Sequence, residues 1–223
     1  MSKFEEYLKL TYFLDFDKKK VRNKALEITK SAETNSEKAI ELFYWVRDKI
    51  KYNMMSYVPK IKANFKASVT LRRGYGFCVS KSILLASFGR AVDIPTRLHL
   101  VDIINHKISE KVVEFMGTNV MYYHGYAEFY LNERWIKLAP IFDKMTAEKA
   151  GFLPLTEFDG KNDALFSHDD LDGNIFVEYI NDHGIYSDLP LKTIEKTFDE
   201  KYGSIFQEGL TVKPIKDKRI TYK

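Results

Sequence analysis

The chemistry open to this chain centres on one sulfur atom. Cys78 is the single cysteine among 223 residues and stands in the stretch GYGFCVSKS, residues 74–82, where a glycine-rich loop gives way to strong helix formers. A thiol attacks as its thiolate, so a nucleophilic role needs surroundings that favour the anion and a base that can move the proton. The sequence offers the first of these. A thiol in the first turn of a helix meets unpaired N–H groups and the positive end of the macrodipole, which lower its pKa. Arg72, Arg73 and Lys81 stand close in sequence and either add to that effect or point to water. Gly74 and Gly76 let the backbone turn sharply and approach a substrate, and the N–H of Cys78 can face a developing oxyanion. The competing expectation is a buried cysteine acting as a small hydrophobe.

The second requirement is an imidazole. The chain supplies His99, His106, His124, His168 and His183. His124 is the best placed, on a strand that alternates and on the same face as Tyr126 and Glu128, where a sheet can hold it against a helix N-terminus. For any one of these histidines taken alone, a satisfied structural role is the commoner outcome. Tyr44, Trp45, Tyr52, Tyr57, Tyr75, Tyr122 and Tyr123 can line a groove or pack a core. No His/Cys/Asp set has tight metal-ligand spacing, and Asp169, Asp170 and Asp172-Gly173 fall short of a calcium loop, so neither a metal nor a cofactor is expected.

The elements that must hold these groups are legible. Residues 18–30 carry Val21, Ala25 and Ile28 at helical spacing. Thr34 to Glu37 reads as a capping box, and Ala39, Leu42, Phe43, Val46 and Ile50 continue a second apolar stripe, with Glu41, Arg47 and Lys49 on the other face. Residues 51–66, polar and aromatic with Pro59, read as a surface loop. The run SKSILLASFGRAV after Cys78 is apolar all round and predicts a largely buried central helix, ended by Asp93-Ile94-Pro95. Thr96 to Ile104 reads as a strand. Tyr122 to Leu131 and Arg134 to Ala139 form a hairpin about Asn132-Glu133, closed off by Pro140. Asp159-Gly160, Asp172-Gly173 and His183-Gly184 punctuate a loop-rich region around one strand, Ile175 to Ile180, and a last helix is expected near 190–200.

The ordered set AIELFYWVRDKIKYN, LRRGYGFCVSKSILLASFGRAVDIPTRL and YYHGYAEFYLNERWIKLAP resembles the transglutaminase-like superfamily over roughly residues 36–143. The chain is most similar to the small stand-alone microbial branch, to which FDGKNDALF and INDHG also correspond. That resemblance implies an α+β, cysteine-protease-like fold, with a central helix bearing Cys78 packed on an antiparallel sheet bearing His124. It also implies a third, acidic residue that orients the imidazole. Family members generally carry aspartate in a W-x-x-x-D-P-T pattern at the end of the second hairpin strand, whereas Trp135-Ile-Lys-Leu-Ala139-Pro140-Ile141 has alanine there. Position 139 falls opposite Tyr126 and diagonal to His124, and Ala139 cannot orient a ring. Asp143 is the substitute four residues on, if the chain bends back after Pro140; it can equally be a turn or helix-cap aspartate. Glu128 is the second candidate.

Composition bounds the rest. With 45% hydrophobic and 14% aromatic residues the chain has material for a sizeable core, and one transglutaminase-like domain over 1–223 is expected, with its core at about 36–150 and 151–223 as an extension. A net charge of +4 from 35 basic and 31 acidic residues gives no nucleic-acid footprint, and Lys18-Lys19-Lys20 and Lys213 to Lys218 read as solvated surface. No stretch reaches the apolar length of a membrane span and no leader pattern precedes the chain, so a cytoplasmic protein is expected. The function expected is acyl transfer at an amide or peptide-like bond of a peptide or small molecule. Cys78 acts as nucleophile, His124 as general base and acid and Asp143 as orienter, with hydrolysis and transamidation both open. The alternative is an inactive binding module on the same fold.

Overall fold

In the computed structural model, which describes residues 4–58 and 60–203, one helix organises everything around it. This is α4 (Cys78–Ala91), with every residue from Cys78 to Arg90 buried, as its all-round apolar sequence predicts. It lies on a four-stranded sheet of order β5-β4-β3-β6, built from β3 (Thr96–Asn105), β4 (Val120–Leu131), β5 (Arg134–Leu138) and β6 (Val177–Tyr186), all neighbours antiparallel. On its other sides α4 packs against α1 (Lys19–Ile28), α2 (Asn35–Lys49) and α3 (Ala67–Arg73). The result is the α+β arrangement expected, a central helix between helices and an antiparallel sheet.

Two glycines let helix and sheet approach so closely. A Cβ on Gly89 would sit 2.5 Å from Thr96 Cγ2 and 2.7 Å from Phe129 Cζ. A Cβ on Gly125 would sit 3.3 Å from the backbone of Val79. Buried polar groups then tie α4 to its surroundings. Arg90 donates to the carbonyls of Lys9, Thr96 and Ser187, joining the first segment, β3 and the exit of β6. Lys81, fully buried, donates to the carbonyls of Arg47 (2.9 Å) and Ile50 (2.5 Å) at the end of α2. It serves those orphan carbonyls rather than the thiol.

The capping box at Thr34 and Glu37 forms. The hairpin turn puts Asn132 and Glu133 at φ of 48° and 65°, the paired positive angles of a turn that matches strand twist. Arg47 departs from expectation. It is buried, its guanidinium held by Asp48 and Glu157 and laid over the Tyr44 ring, so the polar face of α2 is covered by the segment around residue 157. β6 also runs on through His183-Gly184 to Tyr186, because the long β3 offers it a ladder partner that a local reading cannot see. Three short helices, α3, α5 (Glu110–Met116) and α6 (Lys144–Ala150), and a two-residue parallel pair, β1 (Lys51–Tyr52) with β2 (Tyr75–Gly76), complete the core. The expected last helix is α7 (Leu191–Tyr202). No helix among the described residues is long and apolar enough to cross a membrane. The basic run Lys213 to Lys218 lies outside the described residues.

Candidate active site

Cys78 opens α4 after the extended Phe77, which offers no side-chain cap, so the first-turn N–H groups remain free for another acceptor. Burial pushes the thiol up, to about 11, while the main-chain N–H groups of Gly125, Val79 and Cys78 itself pull the other way. The thiol is only 9% exposed. One turn further along α4, Ser82 Oγ donates to the Gly125 carbonyl at 2.8 Å. Gly125 therefore ties β4 to α4 through its carbonyl.

His124 precedes Gly125 on β4. Its ring packs on Phe166 at 5.3 Å and lines an apolar pocket with Tyr52, Ile141, Phe142 and Thr146. It is 3% exposed, its Nε2 is buried without a partner, and burial pushes its pKa down to about 3, so the ring is neutral. A buried imidazole nitrogen with no partner is costly and uncommon in a finished core. The pocket around it measures about 40 Å³, and the one in front of Cys78 about 50 Å³. Tyr52, Met54 and Met121 line both.

Asp143 stands elsewhere than a ring-orienting acid must. Its carboxylate accepts from Tyr52 N–H at 3.0 Å, from Thr146 N–H at 3.0 Å and from Thr146 Oγ1 at 2.7 Å, which makes it the N-cap of α6. Burial alone would raise its pKa, yet these bonds and nearby Lys81 hold it below the ordinary value. It makes no bond to His124, and the reason is geometric: after Pro140 the chain turns into α6, and the first orphan donors of that helix claim the carboxylate. Ala139 is fully buried, its N–H bonded to the Ala164 carbonyl. Glu128 is committed to Arg97 (2.6 Å) and His99 Nδ1 (2.6 Å), and His99 Nε2 reaches Asp182 at 2.8 Å. Among the described residues, His124 thus has no carboxylate partner.

Tyr52, Tyr57 and Tyr122 do line the pocket at the thiol, whereas Tyr44 turns to Glu157. Three features escaped the sequence reading. One is the Gly125 amide, for which a glycine inside an aromatic strand is the available signal. Another is Asp102, buried and accepting from Tyr123 N–H (2.9 Å), Asn181 (3.1 Å) and His183 (2.7 Å), with His183 stacked on Tyr123 at 3.9 Å. The third is where α7 packs, with Phe198 and Tyr202 lining the pocket at the thiol.

The family model described as the transglutaminase-like superfamily matches residues 22–140, the stretch from α1 through both hairpin strands. The chain belongs to the transglutaminase-like superfamily. The superfamily match contains Cys78 and His124 and ends three residues before Asp143. Among solved structures, a candidate cysteine protease from Cytophaga hutchinsonii is similar at 15% identity and a TM-score of 0.51, over 84% of this chain and 48% of its own. The periplasmic domain of TgpA from Pseudomonas aeruginosa is similar at 17% identity and a TM-score of 0.43, over 60% of this chain and 45% of its own. A candidate protease from Parabacteroides distasonis is similar at 13% identity and a TM-score of 0.38, over 57% of this chain and 25% of its own. This superfamily member thus spans half or less of the length of each of those structures, and the likeness to the first is one of fold. No curated protein matches it.

Proposed function

We propose that this protein is a cysteine-dependent acyl-transfer enzyme acting on amide or peptide-like bonds, with Cys78 as nucleophile and His124 as the group that moves the proton. The observation that carries this reading is the placement of Cys78 in the uncapped first turn of α4 against β4, where the Ser82 hydroxyl one turn on is bonded to the carbonyl of Gly125, the residue that follows His124. The unpaired N–H groups of a first turn favour an anion and, as the reaction proceeds, can serve the oxygen of an attacked carbonyl. In the proposed sequence His124 takes the thiol proton and the sulfur bonds to the carbonyl carbon. The C–N bond then breaks as the imidazolium returns that proton to the departing amine. Water converts the resulting thioester to an acid, or an incoming amine converts it to a new amide, and either step returns a proton to sulfur through His124.

Asp143 acts in this scheme as a positioning residue. By capping α6 and holding Tyr52 it fixes a wall of the imidazole pocket, since Tyr52, Phe142 and Thr146 all line it. A thiolate and imidazolium can form a stable pair without a third member.

One observation favours a second reading, a binding module that keeps the fold without turnover: His124 lacks any carboxylate partner and Ala139 stands where the superfamily places one. Incubation with p-nitrophenyl acetate followed by intact mass separates the two. The enzyme reading expects acetyl-Cys78 that discharges to water or to an added amine, with acylation falling roughly 100-fold in His124→Ala. Absence of acylation in both the parent and Phe198→Ala, whose smaller side chain opens the pocket at the thiol, supports the binding module.

A further inference from the structure

The thiol pocket is shut from one side by α7. The buried residues of this helix, Leu191, Ile194, Phe198 and Tyr202, fall on one stripe. Near its far end the Phe198 ring meets Tyr57 at 5.2 Å and the Tyr202 ring meets Tyr122 at 5.5 Å. Tyr202 Oη accepts from Tyr122 N–H at 2.8 Å and donates to the Val120 carbonyl at 3.1 Å. Both rings line the same pocket as Cys78, together with Phe77 and Met121. What remains open there, about 50 Å³, is on the scale of one or two water molecules and holds no peptide group.

α7 is held at both ends. Just before it, the Ser187 carbonyl accepts from Arg90 at 2.8 Å and Asp188 accepts from Thr11 Oγ1 at 2.9 Å, so the chain is pinned to α4 and to the first segment. The aromatic plug sits at the other end of the helix, two to three turns beyond that anchor. Opening the pocket from that end breaks the two bonds of Tyr202 to β4 and leaves the anchor at Ser187 and Asp188 in place.

We infer that the pocket in front of Cys78 is a subsite for an aromatic or large apolar side chain of the substrate, and that α7 holds it closed by filling it with Phe198 and Tyr202. This rests on the acyl-transfer reading only for the word substrate; the occupancy and its release are properties of the fold. The lining selects the ligand class. Tyr57, Phe77, Met121 and Tyr122 offer rings and a thioether, surfaces that gain most by covering another flat apolar group.

The test is covalent labelling of Cys78 by iodoacetamide and by the chloromethyl ketones of N-acetylphenylalanine and N-acetylalanine, read by intact mass in the parent and in Phe198→Ala. In each reaction the sulfur–carbon bond forms as the carbon–halogen bond breaks and halide leaves. Phe198→Ala is expected to be labelled by iodoacetamide at least tenfold faster than the parent. It is also expected to favour the phenylalanine reagent at least tenfold over the alanine reagent, after division by their rates with glutathione. Labelling within twofold of the parent overturns the plug, and a corrected ratio near one overturns the aromatic subsite. If Phe198→Ala fails to fold, hydrogen exchange of the parent decides: α7 amides exchanging at least tenfold faster than those of β3 and β4 support the plug, and equal protection overturns it. Turnover of N-acetylphenylalanine amide is scored separately. Its absence alongside fast, selective labelling counts against the acyl-transfer reading and leaves the pocket and its plug standing.

Discussion

The hydroxyl of Ser82 on α4 donates to the carbonyl of Gly125 on β4 at 2.8 Å. One residue of β4 is therefore tied to α4 one turn after Cys78, and His124 is its neighbour in the chain. The contact that sets the register of the helix on the sheet also sets where the imidazole stands relative to the thiol. Thiol and imidazole are both held by the buried core rather than by surface loops.

That contact leaves little room for change. Gly125→Ala places a methyl 3.3 Å from the Val79 backbone, which cannot swing aside as a side chain can. It is expected to cost about 1–3 kcal/mol of stability by overpacking. Ser82→Ala leaves a buried carbonyl without its donor and is expected to cost about 1–3 kcal/mol. Chemical denaturation of both variants measures these losses, and Gly125→Ala is also expected to slow labelling of Cys78 at neutral pH, because the added methyl presses on Val79 and shifts the first turn of α4.

The neutral, buried His124 predicts acid sensitivity. Burial lowers its folded pKa from 6.5 to about 3, so between those values the unfolded chain binds a proton that the folded chain refuses. The stability it contributes is complete above pH 6.5 and is lost as the pH falls toward 3, with a slope approaching about 1.4 kcal/mol per pH unit. Denaturation at several pH values in the parent and in His124→Phe checks this. The slope from His124 is expected to disappear in the variant.

His99 works in the opposite sense. Burial lowers its pKa, but Glu128 and Asp182 outweigh burial and raise it. A raised folded pKa gives stability that is full below the unfolded value of 6.5 and is lost as the pH rises through the folded value. Because Asp182 lies on the edge strand β6, hydrogen exchange of β6 is expected to quicken relative to β4 as the pH passes that point, after correction for intrinsic exchange. Asp182→Asn is expected to weaken the effect.

Asp143→Ala separates a cap from a triad member. Loss of the N-cap of α6 is expected to cost about 1–2 kcal/mol of stability. The pH at which Cys78 becomes reactive is expected to stay where it is in the parent, because Asp143 does not touch the imidazole. Asp143→Asn, which keeps an acceptor for Thr146, is expected to restore most of the stability.

The parts legible in the sequence were those with local causes. The α4 boundary, the capping box at Thr34 and Glu37, and the hairpin about Asn132-Glu133 follow from periodicity and turn chemistry within a few residues. Cys78 at a helix start and His124 on the alternating strand were found in the same way. What escaped depends on contacts between distant segments. Asp143 reads equally well as orienter or cap until the start of α6 claims it. The burial of Arg47 needs Glu157, the run of β6 through Gly184 needs β3, and the closing of the thiol pocket needs a helix more than 110 residues away. Gly125 was visible only as an odd glycine among aromatics, and its meaning required Val79 and Ser82 beside it.

The most direct measurement of the central claim, that Cys78 and His124 act as a pair, is the pH dependence of Cys78 alkylation by iodoacetamide in Phe198→Ala, with and without His124→Ala. The single cysteine makes intact mass an unambiguous readout. The account predicts fast labelling already near pH 6 in the chain that keeps His124, and a shift of that onset toward the free-thiol value of about 8.5 when the imidazole is removed. An onset near 8.5 in both chains, unchanged by His124→Ala, would contradict it.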